Sequence, residues 1–276
     1  MIDRRELRYR VKQLFEVPRE TRLLLIEAAV ALLLWESAGW ILEFRPSILP
    51  TPSRILLEIW RQFPLLQTSG QTTFEEITLG LLLAVLLAAP IAYLLAVVPK
   101  AHRYAAPLLQ AMHRAPLLAL APVLFLWFTL GLLPKVLMVS LMAFFPATAG
   151  ILRGLRSIPD EMRELLRIMQ AGSMQVAVKL HIPGSLPGFL DGLKSAITMG
   201  ISGAVVAEFV AADEGLGYLI LSGISKMDAP FVFASLTVLT AIGLAFYVAV
   251  TLLERILIPW HNESANRDGA PFGRHA

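Results

Sequence analysis

Of 276 residues, 56% are hydrophobic and 16% charged, and the mean hydropathy is +0.65, a composition outside the range of water-soluble domains. It describes an integral membrane protein, and the absence of cysteine excludes disulfides and thiolate metal sites. A formal net charge of +3 invites an anionic partner, but membrane topology accounts for where the basic residues fall and leaves nucleic-acid binding without support.

Residues 1 to 22 alternate basic positions with Leu7, Val11, Leu14 and Phe15, the pattern of an amphipathic arm at the cytoplasmic headgroups. A span near 23 to 42 follows. Glu27 and Glu36 interrupt it and no small-residue cleavage site follows a short apolar core, so it reads as a retained span, not a signal peptide. Leu49-Pro-Thr-Pro-Ser53 then predicts a short external helix that begins near Thr51 or Ser53 and carries helical periodicity from Arg54 to Phe63. A bilayer core needs roughly 20 apolar residues per helix. Further runs of that kind lie near 77 to 98, 105 to 131, 134 to 152, 187 to 210 and 231 to 256.

The third of these six spans contains Pro107, Pro116 and Pro122. Prolines in spans are tolerated where neighbouring helices or a lined cavity satisfy the freed carbonyls, so this is either a pathway-lining helix or a kinked packing helix. In the fifth, Gly200, Ser202, Gly203 and Ala204 form a small-residue face suited to a close helix neighbour, inside the bundle or across a homodimer seam. Asp213 to Tyr218 marks a turn into a short external helix, and the tail 261 to 276 reads as disordered. The fold class is therefore all-α: a polytopic bundle of about six transmembrane helices forming one domain, residues 23 to 260.

Orientation follows from charge. With both termini cytoplasmic, the inner side holds Arg4, Arg5, Arg8, Arg10, Lys12, Arg19 and Arg22, then Lys100 and Arg103, then the basic residues from Arg153 to Lys179 and those from Arg255 onward. The outer side holds Arg45, Arg54, Arg61, Lys135 and Lys226, the smaller set that the positive-inside rule requires.

The polar insert between the fourth and fifth spans, Ser157 to Pro187, carries the most functional information. Ser157 with Asp160 three residues on, Pro159 in the first turn and a second acid at Glu161 predict a helix starting near Ile158. Met162, Leu165, Leu166 and Met169 fall on one stripe of it, Asp160, Arg163, Glu164 and Arg167 on the other side, and Gly172 is the expected stop. A helix of this length is marginal alone, so its apolar stripe must dock on the membrane, on its own bundle or on a partner.

Within that insert, Glu164-Leu-Leu, then Gln170-Ala-Gly172, then His181-Ile-Pro183 resembles the cytoplasmic "EAA" loop of ABC importer permeases. Two alanines of that pattern are Leu165 and Leu166 here, and its glycine is Gln170, with Gly172 displaced by two. Leu49-Pro-Thr-Pro-Ser53, Arg114-Ala-Pro116 through Pro122 to Trp127, Gly203 to Glu208, Gly215-Leu-Gly-Tyr218 and Leu253-Glu-Arg255 also resemble permeases of the nitrate, sulfonate and taurine type. The resemblance covers about residues 20 to 260.

This resemblance implies a type I importer bundle in a bacterial-type inner membrane. It implies two permease copies forming a homodimer, two cytoplasmic ATPase subunits and an extracytoplasmic solute-binding protein. The residues it assigns to ATPase coupling are Asp160, Glu161, Met162, Arg163, Glu164, Leu165, Leu166, Arg167, Met169, Gln170, Gly172 and Pro183. Those expected along the translocation pathway are Arg114, Pro116, Pro122, Met199, Ser202 and Glu208. The chain has no G-x-x-x-x-G-K-[ST] loop, so ATP and Mg are expected on the partner ATPase and no cofactor in this chain. The run Ala207 to Tyr218 leans toward permeases for pyrimidine-type vitamin precursors.

A proton-coupled secondary transporter is the competing reading, with Glu27, Glu36, Glu208 and Arg114 as relay groups. It would usually show repeated halves, which are not visible, and would leave the 158 to 171 helix without a purpose. A membrane enzyme finds less support still, because His102, His113, His181, His261 and His275 are scattered and neither H-E-x-x-H nor G-x-S-x-G occurs.

Overall fold

A computed structural model describes residues 19–41, 48–98, 100, 103, 107, 116–211 and 213–258. Among these the regular elements are helical: α1 (Arg19–Ile41), α2 (Pro52–Arg61), α3 (Phe63–Val97), a 3₁₀ turn (Leu117–Leu120), α4 (Ala121–Phe128), α5 (Leu132–Arg156), α6 (Asp160–Ile168), α7 (Ser173–Val176), a π-helical turn (Ala177–His181), α8 (Ile182–Ala211), α9 (Leu216–Ser225) and α10 (Ala229–Leu257). They divide into two compact units, one of residues up to Gln62 with Gly223–Ala234, the other of Phe63–Ser222 with residues from Ser235 on.

Four helices among the described residues are long and apolar enough to cross a membrane: α3, α5, α10 and the continuous helical run Ser173–Val210. Six spans were expected. The helix α1 fills the first expected span, and most of the third, with Arg114, lies outside the described residues, as do the arm 1–18 and the tail. What is described of the third span corrects the reading of its prolines. Pro116 immediately precedes the 3₁₀ turn and Pro122 sits in the first turn of α4, where a missing N–H leaves no carbonyl orphaned. These two prolines start helices; they do not kink one.

In the first unit, α2 begins where Leu49-Pro-Thr-Pro-Ser53 predicts, with Pro52 in its first turn and Thr51 at the cap position. The capping group comes from α1. Glu36 accepts hydrogen bonds from the Ser53 amide (3.0 Å), the Ser53 hydroxyl (2.7 Å) and the Trp40 indole (2.9 Å), so an acid that interrupts an apolar helix satisfies the open N-terminus of the next.

The second unit is organised by α5 and α8. Gly150 and Gly154 of α5 lie backbone to backbone against Gly188 and Gly192 of α8. A Cβ built on Gly188 would stand 2.6 Å from the Gly154 Cα, and one on Gly192 would stand 2.7 Å from the Gly150 Cα. Small residues at four-residue spacing permit this approach, and without a hydrophobic driving force between helices in lipid, such contact is what holds them together. Farther along α8, Gly200 faces Val139 and Gly203 faces the Met138 carbonyl, so the glycines of the small-residue face, with buried Ala204, pack inside the bundle, whereas Ser202 is exposed. Helix α3 adds Ile77, Leu81, Ala84, Ala88 and Ala92 to the same core, a buried stripe at helical spacing.

The fifth span starts earlier than position 187. Helix runs without a break from Ser173 to Val210, roughly 57 Å at 1.5 Å per residue, against a hydrocarbon core of about 30 Å. Pro183 falls in the first turn of α8, directly after the π-helical turn.

Candidate functional site

The insert folds as a short helix whose apolar stripe is exposed except at Leu166. Helix α6 spans Asp160–Ile168, and none of its residues is buried. Met162 is 54% exposed, Leu165 57%, Ile168 80% and Met169 67%. Leu166 is half-buried, and Glu161 and Glu164 are exposed. Arg163 anchors the helix: its guanidinium donates to the Leu155 carbonyl at the end of α5 (2.8 Å) and to Asp160 (3.1 Å). Ile158 is buried and lies against the Gly184 backbone, closing the root of the insert.

The predicted start and stop of this helix are both corrected. Ser157 does not cap it, because its hydroxyl donates to the Gly154 carbonyl of the preceding helix (2.9 Å), and the first helical residue is Asp160. The stop comes at Gln170, whose φ of 54° lies in the left-handed region, with the Ala171 amide donating to the Leu166 carbonyl (3.0 Å). Gly172 lies beyond, its amide held by the Gln175 side chain at the start of α7 (3.1 Å). The position where the resembling pattern carries glycine is thus one where the backbone favours glycine. Gln170→Gly is expected to stabilise this turn by about 1 kcal/mol, the cost of holding a non-glycine residue there, read as slower hydrogen exchange at the Ala171 amide.

A second feature is the exposed face of α8. Asp191, Ser195, Thr198, Met199 and Ser202 are all exposed and lie within one sector of a helix long enough to cross a membrane. The three hydroxyls donate to carbonyls one turn back, to Asp191 (3.2 Å), Lys194 (3.4 Å) and Thr198 (3.2 Å). Beside them an open depression of about 410 Å³ is lined by Arg153, Asp191, Lys194, Ser195, Thr198 and Tyr247. Lys194 is held by Glu254 at 2.6 Å. Polar side chains at membrane depth face a protein interior or a water-filled path, not lipid.

The third feature is buried. Lys135 on α5 pairs with Glu76 on α3 at 2.7 Å and also donates to the Glu214 carbonyl (3.3 Å). Glu208, 1% exposed near the end of α8, bonds the Thr73 hydroxyl (2.6 Å) and accepts from the Gly217 amide (2.5 Å), while the Leu216 amide donates to the same Thr73 oxygen (2.9 Å). Gly215, with φ of 115°, presses its backbone against the Glu208 carboxyl, where any side chain would collide. The network fastens the turn before α9 to three long helices. Of the residues expected along a pathway, Met199 and Ser202 therefore share the exposed face, whereas Glu208 is locked inside the bundle. Sequence reasoning missed the pair because Lys135 reads only as an outer-side charge at the start of the fourth span and Glu76 stands just before the second; the nearest signal was Gly215-x-Gly217 shortly after Glu208, two glycines that let a carboxyl approach.

A helical membrane bundle with an exposed amphipathic insert and a polar face along one span is the architecture of a transport permease, and comparison with known proteins specifies which. The chain belongs to the family described as "Binding-protein-dependent transport system inner membrane component", whose model matches residues 77–261. It is 33% identical over 234 residues to a probable ABC transporter permease protein of Haemophilus influenzae, covering 84% of this chain and 96% of that one. It is 34% identical over 233 residues to the formylaminopyrimidine transport permease protein ThiX of Halalkalibacterium halodurans, covering 84% and 93%. Identity to the taurine transport system permease protein TauC of Escherichia coli is 27%, over 92% of this chain and 95% of that one. The fold is similar to a chain of the MetNI methionine ABC transporter in an inward-facing conformation, with TM-score 0.65 at 19% identity, covering 71% of this chain and 98% of that one. The protein is a multi-pass ABC importer permease subunit.

Proposed function

We propose that this permease conducts a small organic or anionic solute through a homodimer powered by two copies of a separate cytoplasmic ATPase, with solute delivered by an extracytoplasmic binding protein. The observation that carries the reading is the exposed apolar stripe Met162, Leu165, Ile168 and Met169 on a helix too short to be stable unsupported. Flexible methionine side chains suit a protein groove that must accept them in more than one state. ATP and Mg bind the partner subunit, since the chain has no phosphate loop.

On this reading the segment 160–172 docks in the ATPase, with Glu164 on its exposed face available to a basic group there. ATPase closure carries the segment inward, and the continuous helix from Ser173 through Pro183 into α8 passes the displacement to the bundle, so nucleotide and solute bias one two-state equilibrium. A second copy covers the exposed face of α8, making Ser195, Thr198, Met199 and Ser202 the wall of a path between subunits. The termini lie in the cytoplasm of a bacterial-type cell, and the solute class is that of the relatives: a heterocyclic vitamin precursor or a sulfonate.

Glu164→Lys, or deletion of 160–169, is expected to abolish solute-stimulated ATP hydrolysis and reduce ATP-driven uptake to background while the protein still inserts in the membrane. Unchanged uptake by either variant would remove the docking role. Uptake is further expected to persist when a protonophore collapses the proton gradient at constant ATP; its collapse would instead install proton coupling.

A further inference from the structure

Two cavities meet at the α6 end of the second unit. One, of about 380 Å³, is lined by Arg163, Arg167, Ser173, His181 and Tyr93 together with apolar groups, and no carboxylate lines it. The other, of about 310 Å³, is apolar and lies along α3 and α5, bounded by Ala89, Pro90, Ile151 and Ile182. Tyr93, Leu155 and His181 border both, so the cationic chamber and the apolar one adjoin across these three side chains.

The cationic chamber has hydrogen-bonding capacity to spare. The Nε of Arg163 and the Nδ1 of His181 are buried without a protein partner, although buried polar atoms are normally paired. Each terminal nitrogen of Arg163 donates one bond, to Asp160 and to the Leu155 carbonyl, which fixes the guanidinium at the chamber wall. The His181 ring is braced edge-on by Tyr93 at 5.7 Å. A guanidinium held at a chamber wall, with its Nε turned inward and a second arginine, Arg167, beside it, suits a tetrahedral or planar oxyanion, although Asp160 already shares the Arg163 charge. The chamber stands where α3 and α5 end, at Val97 and Arg156, which is the level of lipid headgroups for helices that cross a bilayer, and basic pockets at that level hold phospholipid headgroups.

We propose that this double cavity is a binding site for an anionic phospholipid, its phosphate held by Arg163, Arg167, Ser173 and His181 and the start of an acyl chain lying against Ala89, Pro90 and Ile151. The apolar chamber decides between the two sources of a phosphate group: a free ion would use only the cationic half. A lipid seated there braces the root of α6 against α3, linking bilayer composition to the stiffness of the insert.

The test uses the purified full-length chain in detergent micelles, titrated separately with phosphatidylglycerol, phosphatidylcholine and inorganic phosphate, with melting temperature as the readout. Phosphatidylglycerol at ten times its Kd is expected to raise the melting temperature by about 4 °C, and phosphatidylcholine to leave it unchanged. Arg167→Gln, at an exposed position that leaves the anchoring bonds of Arg163 intact, is expected to weaken phosphatidylglycerol about tenfold. Ala89→Trp, which fills the apolar half, is expected to lower the phosphatidylglycerol effect to that of inorganic phosphate. Equal responses to the two lipids, or an Arg167→Gln variant that binds normally, would overturn the site. A phosphate response as large as that of phosphatidylglycerol and insensitive to Ala89→Trp would overturn the lipid in favour of a soluble oxyanion. Since no ATPase takes part, these outcomes are independent of the docking role of α6.

Discussion

Replacing Gly150 with leucine is expected to leave little folded protein in the membrane. A Cβ at this position would stand 2.6 Å from the Gly188 carbonyl oxygen and 2.8 Å from the Gly192 nitrogen, so the obstruction is backbone and no rotamer relieves it. The helices α5 and α8 would have to separate along the whole contact of Gly150, Gly154, Gly188 and Gly192, and overpacking of this kind costs about 1–3 kcal/mol even where side chains can yield. The loss should be larger here, because close packing and not hydrophobic transfer holds helices together in lipid. Membrane-extracted Gly150→Leu should aggregate on size-exclusion chromatography where the wild type elutes as one species. Gly172→Ala is the control: nothing lies within 4 Å of its Cβ position, and that variant should behave as wild type. A well-behaved Gly150→Leu would mean that the backbone contact does not organise the bundle.

The second large effect is expected at Lys135. Its ammonium is buried against Glu76, whose side chain is fully inaccessible. Lys135→Met keeps the bulk and removes the charge, stranding an acid in a low-dielectric interior, and breaking a buried pair from one side costs about 3–5 kcal/mol. Thermal melts of the purified chain should show a loss of that order. The double variant Lys135→Met, Glu76→Gln should recover most of it, since an amide leaves no bare charge behind. If the double variant is no better than the single one, the lost interaction is packing or the Glu214 carbonyl bond rather than the ion pair.

Some of the long helices were legible in the sequence because apolar runs of bilayer length leave few alternatives. Thus α5 and α10 fall within a few residues of their expected limits, and α2 starts where the prolines place it. The ends of the insert helix were misplaced for a local reason. Ser157 had two uses for its hydroxyl, and closing the helix behind it won over capping the helix ahead. The glycine crossing was written in the sequence as Gly150-x-x-x-Gly154 and Gly188-x-x-x-Gly192, but a single chain does not say which pairs of helices meet. The buried network was hidden for the same reason: the bundle brings Lys135 to Glu76 across 59 residues and Glu208 to Thr73 across 135.

The π-helical turn Ala177–His181 has a consequence for how this chain tolerates change. A π turn is an α-helix with one surplus residue, so the segment before it is rotated by about 100° from the bearing a regular helix would give it. Everything from α6 to α7 hangs from that phase. Deleting a single residue in the turn would regularise the helix and spare the span beyond it, yet swing the apolar edge of α6 to a different compass heading. Gene length at this point works like a keyed shaft, in which one tooth decides the direction the lever points.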